Sequence, residues 1–211
     1  MKWNYGDAFK RFPVGPEAIE FEDGSVLQAH DIFNELPDFM KKADVIFTDA
    51  PWNLGNIKSF YTKAEIEFPA IFDFLEFTDR LFECIKEVNP RVCYLEIGKE
   101  YLADYIMRMK QLYKCVTFYN TTYYHKKENL CYIVQGSNKR KNWHYDWMDE
   151  EDVIYKIAEN ENCDCIGDFC MGRGLVALAA TKNGKRFVGT ELNPKRLAVT
   201  LERLYEIGKR A

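Results

Sequence analysis

CIGDFCMGRGLVALAATKNGKRFVGTELNPKRL (165–197) is the stretch that decides the fold. An apolar run ends at Asp168-Phe169, a loop carries Gly172-Arg173-Gly174, a helical apolar stretch follows, and a second strand ends at Glu191. Glycines at a strand-to-helix turn let the backbone approach a ligand closely and leave free N–H groups at a helix start. An acid closing the next strand can accept hydrogen bonds from both hydroxyls of a ribose. The dinucleotide pattern GxGxxG is incomplete, because Ala177 stands where its third glycine would be. Two readings therefore stand at this point: a cofactor loop, or a glycine turn inside a purely structural βαβ unit.

Outward from this segment the same alternation continues in both directions. VLQAHD (26–31), DVIFTD (44–49), VCYLEI (92–97), CVTFYN (115–120), NLCYIV (129–134), DCIGDF (164–169) and RFVGTE (186–191) read as strands. Most are continuous apolar runs, as strands covered on both faces require. Helices are expected near 32–42, 70–88, 99–113, 150–160, 174–183 and 194–208. Acid at Asp149-Glu150-Glu151-Asp152 suits a helix start, and Pro194 suits a first helical turn. CVTFYN and NLCYIV are separated by too few residues for a crossover helix, so they should pair as an antiparallel hairpin at one edge. The expectation is an α/β fold: a seven-stranded, mostly parallel sheet with helices on both faces. No repeat or linker divides residues 1–211, which should form one domain.

A second segment, DVIFTDAPWNLGN (44–56), brings Asp49 to the carboxyl end of a strand, followed by Ala50, Pro51, Trp52 and Asn53. Pro51 biases residue 50 toward an extended backbone that presents its carbonyl outward. Alone, these residues also fit a strand, a proline turn and a core tryptophan. Together, the two segments resemble the motifs of the beta-class (permuted) DNA adenine-N6/cytosine-N4 amino-methyltransferases. DAPWNLG matches D-P-P-Y/W-N-x-G, while DFCMGRG and TELNP match D-P-F-x-G-S-G and I-E-x-N-P. The DAPW motif precedes the glycine loop, the circularly permuted order of that class, and the resemblance covers nearly the whole chain.

The resemblance implies a Rossmann-like fold, S-adenosyl-L-methionine as cofactor, and methyl transfer to the N6 amino group of adenine in DNA, the base being extruded into the DAPW pocket. It assigns Asp49, Ala50, Pro51 and Trp52 to catalysis. Cofactor contacts fall on Asp31, Asp168, Phe169, Gly172, Gly174, Glu191 and Asn193, with Asp31 on the cofactor's adenine. Nucleic-acid contacts fall on Asn53, on Tyr124 and His125 of the hairpin, and on Lys139, Arg140 and Lys141. The chemistry accounts for the residue types. An exocyclic amine is a poor nucleophile because its lone pair is delocalised into the ring. Two acceptors aimed at its hydrogens, the Asp49 carboxylate and the carbonyl of residue 50, draw the nitrogen toward sp3 geometry and stabilise the developing positive charge. Ala50 in place of the family's first proline leaves that carbonyl intact. Trp52 supplies a face on which a base can stack. Aspartate rather than serine at the first catalytic position leans toward adenine over cytosine.

The departures from the family pattern are specific. Cys170 follows Phe169 without the usual proline pattern, Arg173 replaces a small residue in the glycine loop, and WMDEEDVIYKI replaces the Lys-Pro that opens the preceding helix. Ser59-Phe60-Tyr61 should lie in a mobile loop over the substrate. Only about a dozen residues, SNKRKNWHYDWM (137–148), occupy the place of a target-recognition segment. Short or relaxed sequence preference is expected, or specificity supplied by a second copy in a homodimer or by a partner subunit. Two other functions stay open: methylation of adenine in RNA, and a catalytically silent subunit that binds nucleic acid or a partner.

Composition sets the outer bounds. The net charge is −4, yet residues 105–145 carry eight lysines and arginines against Glu128 alone, an asymmetry suited to a phosphate-facing surface. Seven cysteines are an odd number for a disulfide framework, and CDCIGDFC (163–170) contains no CxxC pair, so reduced thiols and no metal are expected. No apolar run reaches the roughly 18 residues of a membrane span, and MKWNYGDAFKRF lacks a secretory apolar core. The cytoplasm, without membrane partners, is the expected location.

Overall fold

The apolar runs VIFTD, VCYLEI, CIGD and RFVGTE lie in the middle of a single sheet, where both faces of each strand are covered. The computed structural model describes residues 5–71 and 73–211. Eight strands are present: β1 (Ile19–Glu20), β2 (Val26–Ala29), β3 (Val45–Asp49), β4 (Val92–Ile97), β5 (Cys115–Tyr123), β6 (Lys126–Ser137), β7 (Cys165–Asp168) and β8 (Arg186–Glu191). They are ordered β1-β2-β8-β7-β3-β4-β6-β5. The five from β2 to β4 in that order are mutually parallel, and β6 and β5 close one edge as an antiparallel hairpin. All seven expected strands are there. The eighth, two-residue β1, is an addition; it pairs antiparallel with β2 through Ile19↔Leu27 and is too short to carry a periodic signal.

Alternation along the strands builds two cores. Val45 and Phe47 of β3 point to one face, with α1 (Tyr5–Arg11), α5 (Glu150–Asn160), α6 (Leu175–Lys182) and α7 (Pro194–Glu206) packed there. Ile46 points to the other face, with α2 (Leu54–Ala64), α3 (Phe74–Val88) and α4 (Leu102–Leu112). Local chemistry sets the helix ends. Asp73 and Glu76 form a reciprocal capping box on α3. Asp149 caps α5 in front of three acids, and Asn193 caps α7 with Pro194 in its first turn.

Two elements differ from expectation. Between 32 and 42 only a 3-10 turn, Asp38–Lys42, forms, because Pro37 is extended (ψ 133°) and disfavours helix in the residue before it. Residues 59–61 belong to helix α2 rather than to a loop. Asn53 Oδ1 accepts the Asn56 N–H at 2.8 Å and Asn56 Oδ1 accepts the Trp52 N–H at 3.3 Å, which starts that helix directly behind the proline.

The hairpin is longer than CVTFYN and NLCYIV suggest. Its strands run on through the polar segment to a two-residue turn, Tyr124-His125, with φ of 58° and 54°. Such a turn follows the right-handed twist of the strands, and it holds two non-glycine residues in the left-handed region.

No helix among the described residues is long and apolar enough to cross a membrane.

Candidate active site

From β7 the chain passes to β8 on one side, and from β3 to β4 on the other. The connections diverge between β7 and β3 and leave a crevice at the carboxyl ends of the strands, the usual ligand position in open α/β sheets. Five adjacent parallel strands deliver an acid there: Asp31 just beyond β2, Glu191 on β8, Asp168 on β7, Asp49 on β3 and Glu96 on β4. All five line one cavity of about 450 Å³.

The glycine loop shapes one half of it. Gly172, at φ 56°, donates its N–H to Glu191 Oε2 at 2.7 Å, and the Asn193 N–H reaches Oε1 at 2.9 Å. Each carboxylate oxygen keeps a further lone pair for the cavity. Phe169 is pinned from both sides, its N–H on Thr48 Oγ1 at 3.0 Å and its carbonyl under Thr190 Oγ1 at 2.9 Å. Asp168 accepts the Cys170 N–H at 2.9 Å. Burial pushes its carboxyl up to about 8; the hydrogen bonds from Cys170 and Thr48 oppose this, and the charges of Asp49 and Glu191 add to it. Asp31 accepts from the Phe33 N–H at 3.0 Å and from the Tyr61 hydroxyl at 2.6 Å, which fastens α2 to the end of β2.

Gly174 and Asn193 act from outside the lining. A Cβ on Gly174, whose φ is 75°, would lie 2.3 Å from Thr200 Cγ2 on α7. Asn193 is occupied in capping, with Oδ1 on the Lys195 N–H at 2.9 Å and Nδ2 on the Lys63 carbonyl at 3.1 Å. Arg173 lines the cavity together with Arg196 and Arg203, and Arg203 Nη1 holds the Arg173 carbonyl at 2.7 Å. Arg196 is largely buried, 5.2 Å over the Phe60 ring. Burial works against its charge, but Glu191, Tyr5 and Asp49 outweigh it and raise its pKa.

The DAPW segment forms the other half. Asp49 opens onto the cavity, so its side chain has accessible surface although protein surrounds it. Burial pushes its carboxyl up to about 6, opposed by the Trp52 indole N–H, which donates to Oδ1 at 3.2 Å, and by Arg196. Trp52 lies against the bare backbone of Gly98, where a Cβ would come within 3.1 Å of Cε3. Its other neighbour is Tyr123 of the hairpin, centroid to centroid 5.3 Å. Ala50 is buried, and both it and Pro51 line the cavity.

The expected nucleic-acid contacts divide. Tyr124 is 55% exposed and also lines the cavity, which puts it at the mouth. Asn53 caps α2, and His125 turns its Nδ1 to Asp149 Oδ2 at 3.3 Å; neither lines the cavity. Lys139 and Arg140 are exposed. Lys141 is not free for phosphate: its Nζ lies 2.7 Å from Oε2 of Glu161, a carboxylate buried among Tyr94, Trp143 and Arg91. Trp143 and the buried Tyr145 likewise face inward and staple the segment 137–148 to the core, while Trp147 is exposed.

Several lining residues were assigned no contact from the sequence, among them Tyr61, Arg196, Glu96 and Glu150. Tyr61 and Arg196 carry a visible signal, a tyrosine eight residues after the asparagine cap and a base in the NPKR turn. Glu96 and Glu150 carry none, since an acid at a strand end or in a helix's first turn is ordinary. Burial pushes Glu150 up to about 8, with Asp149 adding to the effect and backbone hydrogen bonds opposing it. Among the described residues no group of three histidine, cysteine or acidic side chains is placed to hold a metal ion.

No family model and no curated protein matches this chain. Solved structures do. M1.HpyAVI in its SAM complex superposes with a TM-score of 0.57 at 17% identity, over 84% of this chain and 98% of that one. TTHA0409 of Thermus thermophilus, a candidate DNA modification methylase, gives 0.59 at 16% identity over 80% and 89%. Its complex with S-adenosyl-L-methionine gives 0.58 at 16% over 80% and 88%. At these identities the likeness establishes architecture: the chain has the Rossmann-like sheet and edge hairpin of these proteins.

Proposed function

We propose that this chain is an S-adenosylmethionine-dependent methyltransferase acting on the N6 amino group of adenine in DNA. One observation carries the reading: Asp49 and Trp52 share a single cavity with Gly172 and Glu191, segments more than 100 residues apart in the chain. Two structural neighbours are themselves complexes with that cofactor.

The residues present fit it. Its ribose hydroxyls suit Glu191, whose oxygens are held in place by two backbone N–H groups, and its adenine suits Asp31 beside it. A carboxylate at the methionine end suits the arginines of the lining, and the positive sulfonium suits the surrounding acids. When bound, the cofactor supplies an electrophilic methyl group on sulfur. Everything else falls to the protein. The Asp49 carboxylate and the Ala50 carbonyl accept the two amino hydrogens and hold the nitrogen lone pair toward the methyl donor. Trp52, locked by Asp49 and Gly98, offers a ring face against which the extruded base rests. Lys139 and Arg140 supply phosphate contacts, and Tyr124 meets the strand at the mouth. With so short a segment at 137–148, sequence preference is short, or a second subunit provides it.

The test is transfer of labelled methyl from S-adenosylmethionine to duplex DNA, single-stranded DNA and total RNA, with the nucleosides identified by mass spectrometry. N6-methyladenine in DNA, formed about a hundredfold or more slowly with Asp49→Ala, is the expected result. Methyladenine in RNA alone would move the substrate to RNA, and no transfer at all would leave a silent subunit.

A further inference from the structure

Glu96 lines the crevice, and the proposed reaction leaves it without a task. It is fully buried, and neither carboxyl oxygen has a hydrogen-bond partner among the described residues. Leaving a buried carboxyl unpaired costs stability, so such a group calls for an explanation. Glu96 also lines the cavity and is the register partner of Asp49 across the parallel pair β3–β4, so both side chains leave the sheet on the same face.

The groups around it are acidic or weakly polar on every side. Asp49 faces it from β3, Glu150 and its neighbour Asp149 from α5, the Cys131 thiol from β6 and the Tyr123 hydroxyl from β5. Cys131 is already engaged with Thr121, 3.1 Å away. No base appears among these neighbours. Burial and then the charges of Asp49 and Glu150 hold the Glu96 carboxyl well above the ordinary carboxylate range, opposed only by the nearby Cys131 thiol, whose closest polar contact is Thr121. Asp49 ionises first, because it has the Trp52 N–H and Arg196 and Glu96 has neither. Beside the Asp49 carboxylate, therefore, stands a carboxylic acid whose oxygens make no hydrogen bond among the described residues.

A base amine is flanked in the ring by an acceptor nitrogen, N1 in adenine. If Asp49 and Ala50 take both amino hydrogens, that nitrogen is what remains on the edge, and it needs a donor. We infer that Glu96, as a neutral acid, donates to the ring nitrogen next to the methylated amine and so selects bases bearing an amino group beside an acceptor nitrogen. A ring that turns an N–H toward Glu96 on that side of the amine, as guanine does through N1, would meet a second donor and be rejected.

The inference rests on the proposed methylation, and the experiment separates the two. Wild type, Glu96→Gln and Glu96→Leu are assayed on oligonucleotides carrying adenine or 1-deazaadenine at the target, the analogue replacing only the ring nitrogen by C–H. Wild type should prefer adenine at least tenfold in kcat/KM. Glu96→Gln, which keeps a donor that does not titrate, should retain the preference and lose the decline of activity at alkaline pH. Glu96→Leu should treat both bases alike. An infrared difference spectrum of wild type minus Glu96→Gln, with a protonated-carboxyl component that persists at a pH above 8 where Asp168 and Glu150 are ionised, gives a second readout that needs no turnover. Equal use of both bases by wild type, or an unchanged preference in Glu96→Leu, overturns the role of Glu96 and leaves the methyltransferase reading standing. Absence of methyl transfer by wild type overturns both.

Discussion

The Trp52 indole N–H donates to Asp49 Oδ1 at 3.2 Å, so the first and last residues of the DAPW motif operate as one unit. The donor that positions the carboxylate belongs to the same ring that offers the stacking face. This couples the ionisation of Asp49 to the placement of the base.

Activity should therefore follow the ionisation of Asp49. Its carboxyl is pushed up to about 6, so it is protonated and unable to accept from the amine below that pH, and ionised above it. The expected kcat/KM rises with pH through about 6. Asp49→Ala should cost about 10²–10³-fold, as loss of one preorganised electrostatic contact does. A pH profile flat between 5 and 7 would contradict this.

Trp52→Phe tests the coupling itself. The variant keeps an aromatic face and loses the N–H that lowers the Asp49 pKa, so the acidic limb should move to higher pH with only a small change in plateau rate. Trp52→Ala should also lose stacking, roughly 1–3 kcal/mol. Parallel pH profiles of the two variants distinguish the donor from the ring.

Gly174→Ala addresses the glycine loop. The residue sits at φ 75°, and a methyl there would meet Thr200 Cγ2 at 2.3 Å. Left-handed strain and overpacking together should cost on the order of 3 kcal/mol in urea denaturation. Ala at Gly184 (φ 66°), which has nothing within 4 Å, should cost only the strain.

Ligand-free stability should decline as pH rises from the acid range to about 8 and level off above it. Glu150 and Asp168 are both raised to about 8, above the values they take when unfolded. Their contribution is fully present below about pH 4 and is lost as pH rises through about 8. Glu150→Gln should flatten the profile and raise the melting temperature at pH 8, read by calorimetry across pH 5–8.5.

The basic segment separates by partner. Replacing Lys139 and Arg140 by alanine should lower the slope of log affinity for DNA against log salt by about 2. Lys141→Ala should leave the slope unchanged and cost up to about 3 kcal/mol of stability, because it removes a partner of the buried Glu161 carboxylate. Salt titrations and denaturation of the same variants decide the assignment.

Local chemistry determined much of this protein by itself. Continuous apolar runs, Asn193-Pro194 and the DEED tetrad specify strands and helix starts through backbone preferences that act over a few residues. The order of the DAPW and glycine segments likewise specifies which loop meets which end of the sheet. Helix α2 escaped that reading because only Ile57 and Tyr61 of its eleven residues are buried, so it shows little apolar periodicity and is held by its asparagine cap and by the Tyr61–Asp31 bond. Tertiary structure alone decided three further points. Lys141 turns inward because Glu161, twenty residues on, is buried beside it. Asp49 and Glu96 become neighbours only through the register of β3 with β4, across 47 residues. Burial holds the Glu96 carboxyl well above the ordinary range while the Trp52 N–H and Arg196 oppose that effect at Asp49, and desolvation has no counterpart in the order of residues along a chain.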